Sequence, residues 1–261
     1  MVYDINGKEV GNSFVPSASL QTGIYEDTFY YFIRVMKKKP DGTMQFPFVM
    51  AANGTSATDK SALDFALQNN YLLVENSGLG NSSGSSWVPM GKLVENGQVI
   101  QDNNTPYGVL VIDGNGDLSV AESGTSAADL VSAGAVSVLT AFGPIIVDYE
   151  ATAEADYPNS NNWSQNAQRQ IIGQFANGDY AIITSEGRDY DNSVGWTIPQ
   201  AQALCRQLNL KFAFNLDGGG STETVVGKKQ LNTIYENATG RTVCSFIVFN
   251  GTDEYVARNE E

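Results

Sequence analysis

The residues best equipped for chemistry stand in one run, Phe214-Asn215-Leu216-Asp217-Gly218-Gly219-Gly220-Ser221-Thr222. An apolar strand ending here carries Asn215 and Asp217 two positions apart, so their side chains leave the same face. Three glycines follow. They let a backbone approach a ligand closely, and successive N–H groups can form an anion-binding nest. Ser221 and Thr222 add hydroxyl donors. The set suits a phosphate or sugar hydroxyl held beside a carboxylate. A Gly-rich bend between strands has the same composition, and no Gly-Lys-Ser/Thr follows, so this is not a Walker loop.

What the chain lacks narrows the chemistry further. It has no histidine, which removes Ser-His-Asp and Cys-His nucleophile systems and His-based zinc sites. Acid–base work falls to Asp, Glu, Tyr, Lys or Cys. Cys205 and Cys244 are too far apart for a CxxC motif and read as small buried residues, with a disulfide left open. Lys and Arg number 15 against 29 Asp and Glu, a net charge of −14. Such a field repels nucleic-acid backbones, so no nucleic-acid partner is expected.

The elements that must position the run follow from turn chemistry and periodicity. At 261 residues and 42% hydrophobic, the chain can bury a sizeable core. Asn96-Gly97, Gly114-Asn-Gly116 and Asn177-Gly178 each separate two apolar runs and predict hairpins. Asp59 to Asn69 carries helical spacing, with Thr58 or Asp59 as N-cap, and a further helix is expected within Thr125 to about Thr140. Thr197-Ile-Pro-Gln200 has capping-box spacing and opens a third helix to about Leu210. Tyr71-Leu-Leu-Val74 reads as a buried strand running into a flexible Ser/Gly stretch ending near Ser86. Lys37-Lys38-Lys39-Pro40-Asp41-Gly42 reads as a turn. The fold class expected is α+β, a strand-rich, hairpin-rich mixed-sheet domain with about three helices. The division expected is an N-terminal β extension over 1–45, the main domain over 46–250 and a C-terminal tail over 251–261.

Asn215-Leu-Asp-Gly-Gly-Gly-Ser-Thr222 resembles the signature of the phosphodiester glycosidase family, which includes the enzyme that uncovers mannose 6-phosphate by removing N-acetylglucosamine from a phosphodiester. Other segments are similar to family elements in the same order: Asn76-Ser-Gly-Leu79, Ala141-Phe-Gly-Pro-Ile-Ile-Val147, Arg169-Gln-Ile-Ile-Gly173, Glu186-Gly-Arg188, Gly195-Trp-Thr197 and Arg241-Thr-Val243. The resemblance spans roughly 46–250. It departs at Leu79-Gly80, where the family has a double Phe, at Glu186 in place of Asp, and at Glu223, where a small polar residue is common.

The resemblance implies a hydrolase that cleaves a sugar from a glycosyl phosphodiester. Asp217 is the leading carboxylate and Glu186 the second, able to stabilise an oxocarbenium-like state, attack it or activate water. Arg169, Arg188 and Arg241 are candidates for the phosphate, because a guanidinium fork matches its geometry, although each alone also suits a surface ion pair. Substrate-binding candidates are Asn76, Gly78, Arg188, Asn215, Gly218, Gly219, Gly220, Ser221, Thr222 and Arg241. The two asparagines could orient sugar hydroxyls or cap backbone at loop ends. No cofactor is required. A cation such as Ca²⁺ at Asp217 is open, and the metal is unassigned. The expected partner is a glycan or sugar phosphate, such as a teichoic acid or capsule. The rival expectation is a non-catalytic carbohydrate-binding module of a phage virion or cell-surface protein. There Trp87, Trp163 and Trp196 would stack on sugars, or else pack in the core. No membrane span is expected. The N-terminus lacks signal-peptide character, and extracellular or virion-associated action is expected.

Overall fold

Asn96 and Gly97 hold φ values of 49° and 74°, the left-handed pair a two-residue I′ turn requires. Lys92–Glu95 therefore pairs directly with Gln98–Asp102, Glu95 opposite Gln98. Gly116 and Gly178, at φ 77° and 90°, serve the turns that pair Gly108–Asp113 with Leu118–Val120 and Gln170–Gln174 with Tyr180–Ser185. These local decisions assemble into three sheets and a small ribbon. The computed structural model describes residues 2–4, 17–51, 61–83, 86–122, 124–158, 160–188, 192–234, 241–250 and 255–258.

The nine-stranded sheet runs in the order Val2–Asp4, Tyr255–Arg258, Ala18–Tyr25, Thr28–Val35, Tyr180–Ser185, Gln170–Gln174, Phe212–Asn215, Gly143–Val147 and Glu150–Ala151. Among the described strands only the Ala18–Tyr25 and Tyr255–Arg258 pair is parallel. One five-stranded sheet holds Lys229–Gln230, Thr224–Val226, Tyr71–Asn76, Ser245–Asn250 and Pro47–Ala51. The other holds Leu118–Val120, Gly108–Asp113, Ala135–Ala141, Lys92–Glu95 and Gln98–Asp102. Gly80–Ser83 and Ser86–Pro89 form the ribbon.

All three sheets turn one face to a common core. Ile33, Val35, Ile182 and Phe214 from the large sheet meet Leu72, Leu73 and Ile247 from one small sheet and Leu93, Leu110 and Leu139 from the other. Each sheet's opposite face is covered by a helix. Ile198–Gln207 packs Ile198, Ala201, Leu204 and Cys205 on the large sheet. Ala62–Gln68 packs on the first small sheet and Ala127–Ser132 on the second. This is an α+β arrangement, because the sheets are almost wholly antiparallel and the helices cover faces rather than connect parallel strands.

The helices start where side chains satisfy their first N–H groups. Thr197 and Gln200 form a reciprocal capping box with Pro199 in the first turn. Ser61 accepts from Asp64 N, so the cap of Ala62–Gln68 is Ser61; Thr58 and Asp59 lie outside the described residues. The stretch from Thr125 divides. The helix Ala127–Ser132 ends before Gly134, whose φ of 106° breaks it, and the alternating Val-Ser-Val-Leu-Thr that follows becomes the strand Ala135–Ala141. A further single turn, Ser160–Trp163, has no periodic signal in so short a segment.

The segment before residue 46 is woven into the large sheet. Thr28–Val35 pairs with Tyr180–Ser185 from Tyr180–Val35 to Ser185–Tyr30 and buries Ile33 and Val35 in the central core. Tyr255–Arg258, in the expected tail, is a strand beside Ala18–Tyr25. Removing residues 1–45 uncovers the Tyr180–Ser185 edge and opens the core. The truncated chain is expected to aggregate or lose its cooperative melt in calorimetry. A soluble 46–261 fragment with a sharp transition would show that the segment is an appendage.

Candidate active site

The Gly-rich run is a bridge between sheets. Phe212–Asn215 lies between Gln170–Gln174 and Gly143–Val147, with Asn215 opposite both Ile171 and Gly143. Leu216 N still bonds Gln170 O at 2.8 Å, but Asp217 N crosses to Ser77 O at 2.9 Å, at the end of the neighbouring sheet. A single 3₁₀ turn, Gly219–Ser221, follows, and the chain enters that second sheet as Thr224–Val226.

Two glycines are required here, Gly218 by space and Gly219 by its backbone conformation. A Cβ on Gly218 would stand 2.7 Å from Gln168 O. Gly219 holds φ +58°, and a Cβ there would stand 2.9 Å from Arg188 Nη2. Arg188 thus lies directly on the loop, itself at φ 58°.

Asn76 closes the loop. Its Nδ2 donates to Asp217 O at 2.7 Å, and its Oδ1 accepts from Glu223 N at 2.9 Å. Its own backbone N donates to Glu223 O at 3.1 Å. The Asn76 side chain is fully buried, and both its polar atoms are committed to backbone. Of the two uses open to it from sequence, backbone capping and sugar contact, the first is the one its bonds make.

Asp217, Ser221, Arg241, Gly78, Leu79, Gly80, Trp87 and Cys244 line one cavity of about 120 Å³. Burial pushes the Asp217 carboxyl up to about 6, while the Ser221 hydroxyl, the Arg241 charge and the Gly218 N–H pull it down. Trp87, 37% exposed, forms the outer wall. Cys244 lies behind: a Cβ on Gly80 would collide with its sulfur. Burial, helped by the Asp217 charge, raises the Cys244 thiol to about 12, so it is a neutral wall and not a nucleophile. Both cysteines are free and buried.

The other expected residues surround this cavity without lining it. Asn215 is buried and donates from Nδ2 to the Tyr157 hydroxyl at 2.9 Å. Its Oδ1 has no hydrogen-bond partner among the described residues. Gly220 and Thr222 are buried within the loop. Glu186 is buried and accepts from Thr233 N at 2.8 Å through Oε1. Arg169 is buried, its Nε on Trp196 O at 2.8 Å and its Nη2 on Gln165 O at 2.6 Å and Asn162 O at 3.0 Å. Desolvation lowers its pKa to about 10, so it stays charged at neutral pH, and the charge is spent on fastening the loop segment from Asn162 to Gln168. Trp163 and Trp196 pack in the core beneath the Ile198–Gln207 helix. Among the described residues no three His, Cys, Asp or Glu side chains gather as metal ligands.

Two acids near the loop carry roles the sequence did not suggest. Glu223 accepts from Ala62 N at 2.9 Å and Leu63 N at 3.0 Å, capping a helix from a distance. Burial raises its carboxyl to about 7 against those two N–H bonds. Glu75, wholly buried between the sheets, bonds Gln170 Nε2, which also meets Thr184 Oγ1 and Thr224 Oγ1 at 3.2 and 3.0 Å. Burial pushes the Glu75 carboxyl well above its ordinary value, against the pull of the Gln170 bond. The available signal was an acid inside the otherwise apolar Tyr71-Leu-Leu-Val-Glu run.

A family model for phosphodiester glycosidases matches residues 49–250. No curated protein matches the chain by sequence. Among solved structures it is similar to the catalytic domain of zebrafish N-acetylglucosamine-1-phosphodiester alpha-N-acetylglucosaminidase auto-inhibited by its pro-peptide. The TM-score is 0.71 at 14% identity, covering 96% of this chain and 87% of that one. A hypothetical protein from Synechocystis gives 0.71 at 14% identity, over 90% of this chain and 62% of that one. A Burkholderia pseudomallei protein, provisionally described as exported, gives 0.63 at 15%, over 86% and 74%. At these identities the likeness is one of fold.

Asn76→Ala leaves a buried Asp217 carbonyl and Glu223 N–H without partners. The expected loss is about 2 kcal/mol or more of unfolding free energy, read by urea titration; no loss would dismiss the clamp. For Glu223, the folded pKa lies above the unfolded one. The folded state therefore binds more protons, and stability falls as pH rises from about 4.5 to about 7. Glu223→Gln should flatten the part of that fall above pH 6. An unchanged slope would place the titration elsewhere.

Proposed function

The chain belongs to the phosphodiester glycosidase family, and on that premise we propose that it hydrolyses a glycosyl phosphodiester, with Asp217 as the working carboxylate and Arg241 and Arg188 at the phosphate. The observation that carries this reading is that Asp217, Ser221 and Arg241 share one cavity at the Gly-rich loop. The cavity, about 120 Å³, is small against the 300–1,000 Å³ of typical ligand sites, so it encloses the reacting centre while the rest of the substrate lies outside, across Trp87.

The leaving group decides how much acid the site needs. A phosphomonoester anion departs without protonation, so one carboxylate suffices where ordinary glycoside hydrolysis uses two. Among the described cavity-lining residues only Asp217 is a carboxylate. In the step proposed, the bond from the anomeric carbon to the phosphate oxygen breaks and both its electrons leave with the phosphate. Water adds to the anomeric carbon, and Asp217 takes its proton. Asp217 then returns that proton to solvent. Its charge also faces the positive character that develops on the sugar ring. Arg241 balances the departing anion, while the Ser221 hydroxyl and the Gly218 N–H hold the Asp217 carboxyl. Arg169 and Asn76 position the loop and do not touch the substrate. A surface polymer such as a teichoic acid, met outside the cell, is the substrate class this reading favours.

The test is release of free sugar from a sugar-1-phosphodiester. Asp217→Asn is expected to cut kcat by about 10²–10⁴-fold with the melting temperature kept. Wild-type kcat/KM should fall on the acid side of about pH 6, where the Asp217 carboxylate gains its proton. Full turnover by Asp217→Asn, or an acid limb that survives the substitution, would remove Asp217 from the chemistry. Glycan binding by the wild type with no product after long incubation would leave a binding module instead.

A further inference from the structure

We propose that the tip of the hairpin formed by Ala18–Tyr25 and Thr28–Val35 is a subsite for a neutral sugar, at the same end of the large sheet as Asp217. Ile24 is paired with Phe29, and Thr22 with Tyr31, so Ile24, Phe29 and Tyr31 share one face. Further along that face lie Leu20, Ile33, Ala18 and Val35, all in the central core. At the tip the same stripe emerges from cover. Ile24 is 76% exposed. The Phe29 and Tyr31 rings meet edge to face, 5.1 Å apart. With Asp27, Asn192 and Ser193 they line an open cavity of about 490 Å³, inside the range of ligand sites.

The register ties this shelf to the candidate active site. Tyr31 lies opposite Thr184, Thr184 opposite Gln170, and Gln170 O accepts from Leu216 N. Three strand steps of about 4.8 Å separate the hairpin from the strand that ends in Asp217, roughly 14 Å. The segment after Ser185 spans the interval. Glu186 N bonds Phe29 O at 2.9 Å, Arg188 rests on Gly219, and Ser193 Oγ accepts from Phe29 N at 3.0 Å.

The rim selects the ligand. Among the described lining residues its charged member is Asp27, its amide is Asn192, and none is a lysine or arginine. A phosphate would be repelled there. Sugar hydroxyls can donate to the carboxylate and exchange bonds with the amide, while C–H faces pack on Phe29, Tyr31 and Ile24. Glu26, Asp27 and Asn192 hold φ of 47°, 53° and 58°, a left-handed backbone that residues with a Cβ adopt at a cost. Glu26 and Asp27 take it as the central pair of the hairpin's two-residue turn, which places Asp27 at the shelf. Six lining residues fall short of the 20–30 per side of a stable protein interface.

The subsite rests on the hydrolase reading only for its place along one substrate; binding is measured without it. The probe is an N-acetylglucosamine tetrasaccharide, titrated calorimetrically into the full chain. Wild type is expected to bind, and Ile24→Ser and Phe29→Ala each to weaken binding at least tenfold with the melting temperature kept. Ile24 is exposed enough that its substitution leaves the fold intact. No binding by wild type, or equal affinity in both variants, overturns the proposal. Binding without turnover of a sugar-1-phosphodiester would instead overturn the hydrolase reading and keep the shelf.

Discussion

A glycine loop that leaves one sheet and enters another has no ladder to hold it, and the Asn76 side chain supplies what the ladder cannot. Its amide donates to the loop's first carbonyl and accepts from its last N–H, at Asp217 and Glu223. Each is a buried backbone group that would be costly to leave unpaired. With both ends fixed, the three glycines between them cannot spend their conformational freedom. Asp217 and Ser221 are then held against Arg241. Arg169 does the same for the segment behind: three carbonyls from Asn162, Gln165 and Trp196 converge on one guanidinium, which brings Gln168 O to Gly219 N. Preorganisation of this kind is what electrostatic catalysis needs, because the groups do not reorient as charge develops.

The elements with purely local causes were legible in the sequence. Asn96-Gly97 could only turn tightly, Thr197 and Gln200 could only cap each other, and the strand into Asp217 declared itself by an apolar run ending in glycines. The partners that decide roles were not legible, because they are distant in sequence. Arg169 reads as a phosphate ligand until three carbonyls are seen to claim it. Asn76 reads equally as a sugar contact or a cap. Glu223 looks like a departure from a small polar residue, and becomes intelligible only beside the first N–H groups of Ala62–Gln68. The hairpin before residue 46 carries ordinary strand signals, but its pairing with Tyr180–Ser185 is more than a hundred residues away in sequence.

The Leu79-Gly80 pair shows how a wall is rebuilt when its aromatic residues are absent. Gly80 leaves room that the Cys244 sulfur and the Trp87 ring fill. The cavity stays tight, and its neutral thiol adds no charge beside Asp217.

A chain of net charge −14 would seem a poor host for a phosphate, yet the fields that matter act over short distances. At physiological salt the Debye length is about 8 Å, so acids scattered over the far surface are screened at the loop. What counts is the ionisation state of the acids within it. Burial pushes Glu75 well above its ordinary value and raises Glu223 to about 7. Asp217 is raised less, to about 6. Arg241 and Arg188 stand beside it. Two guanidinium groups therefore stand at the loop of a strongly acidic protein, beside carboxyls whose charge burial disfavours. The same burial that makes this possible opposes folding whenever those carboxyls ionise, so the loop is least stable where its carboxylate is ready to work. The Asn76 and Arg169 clamps counter that cost.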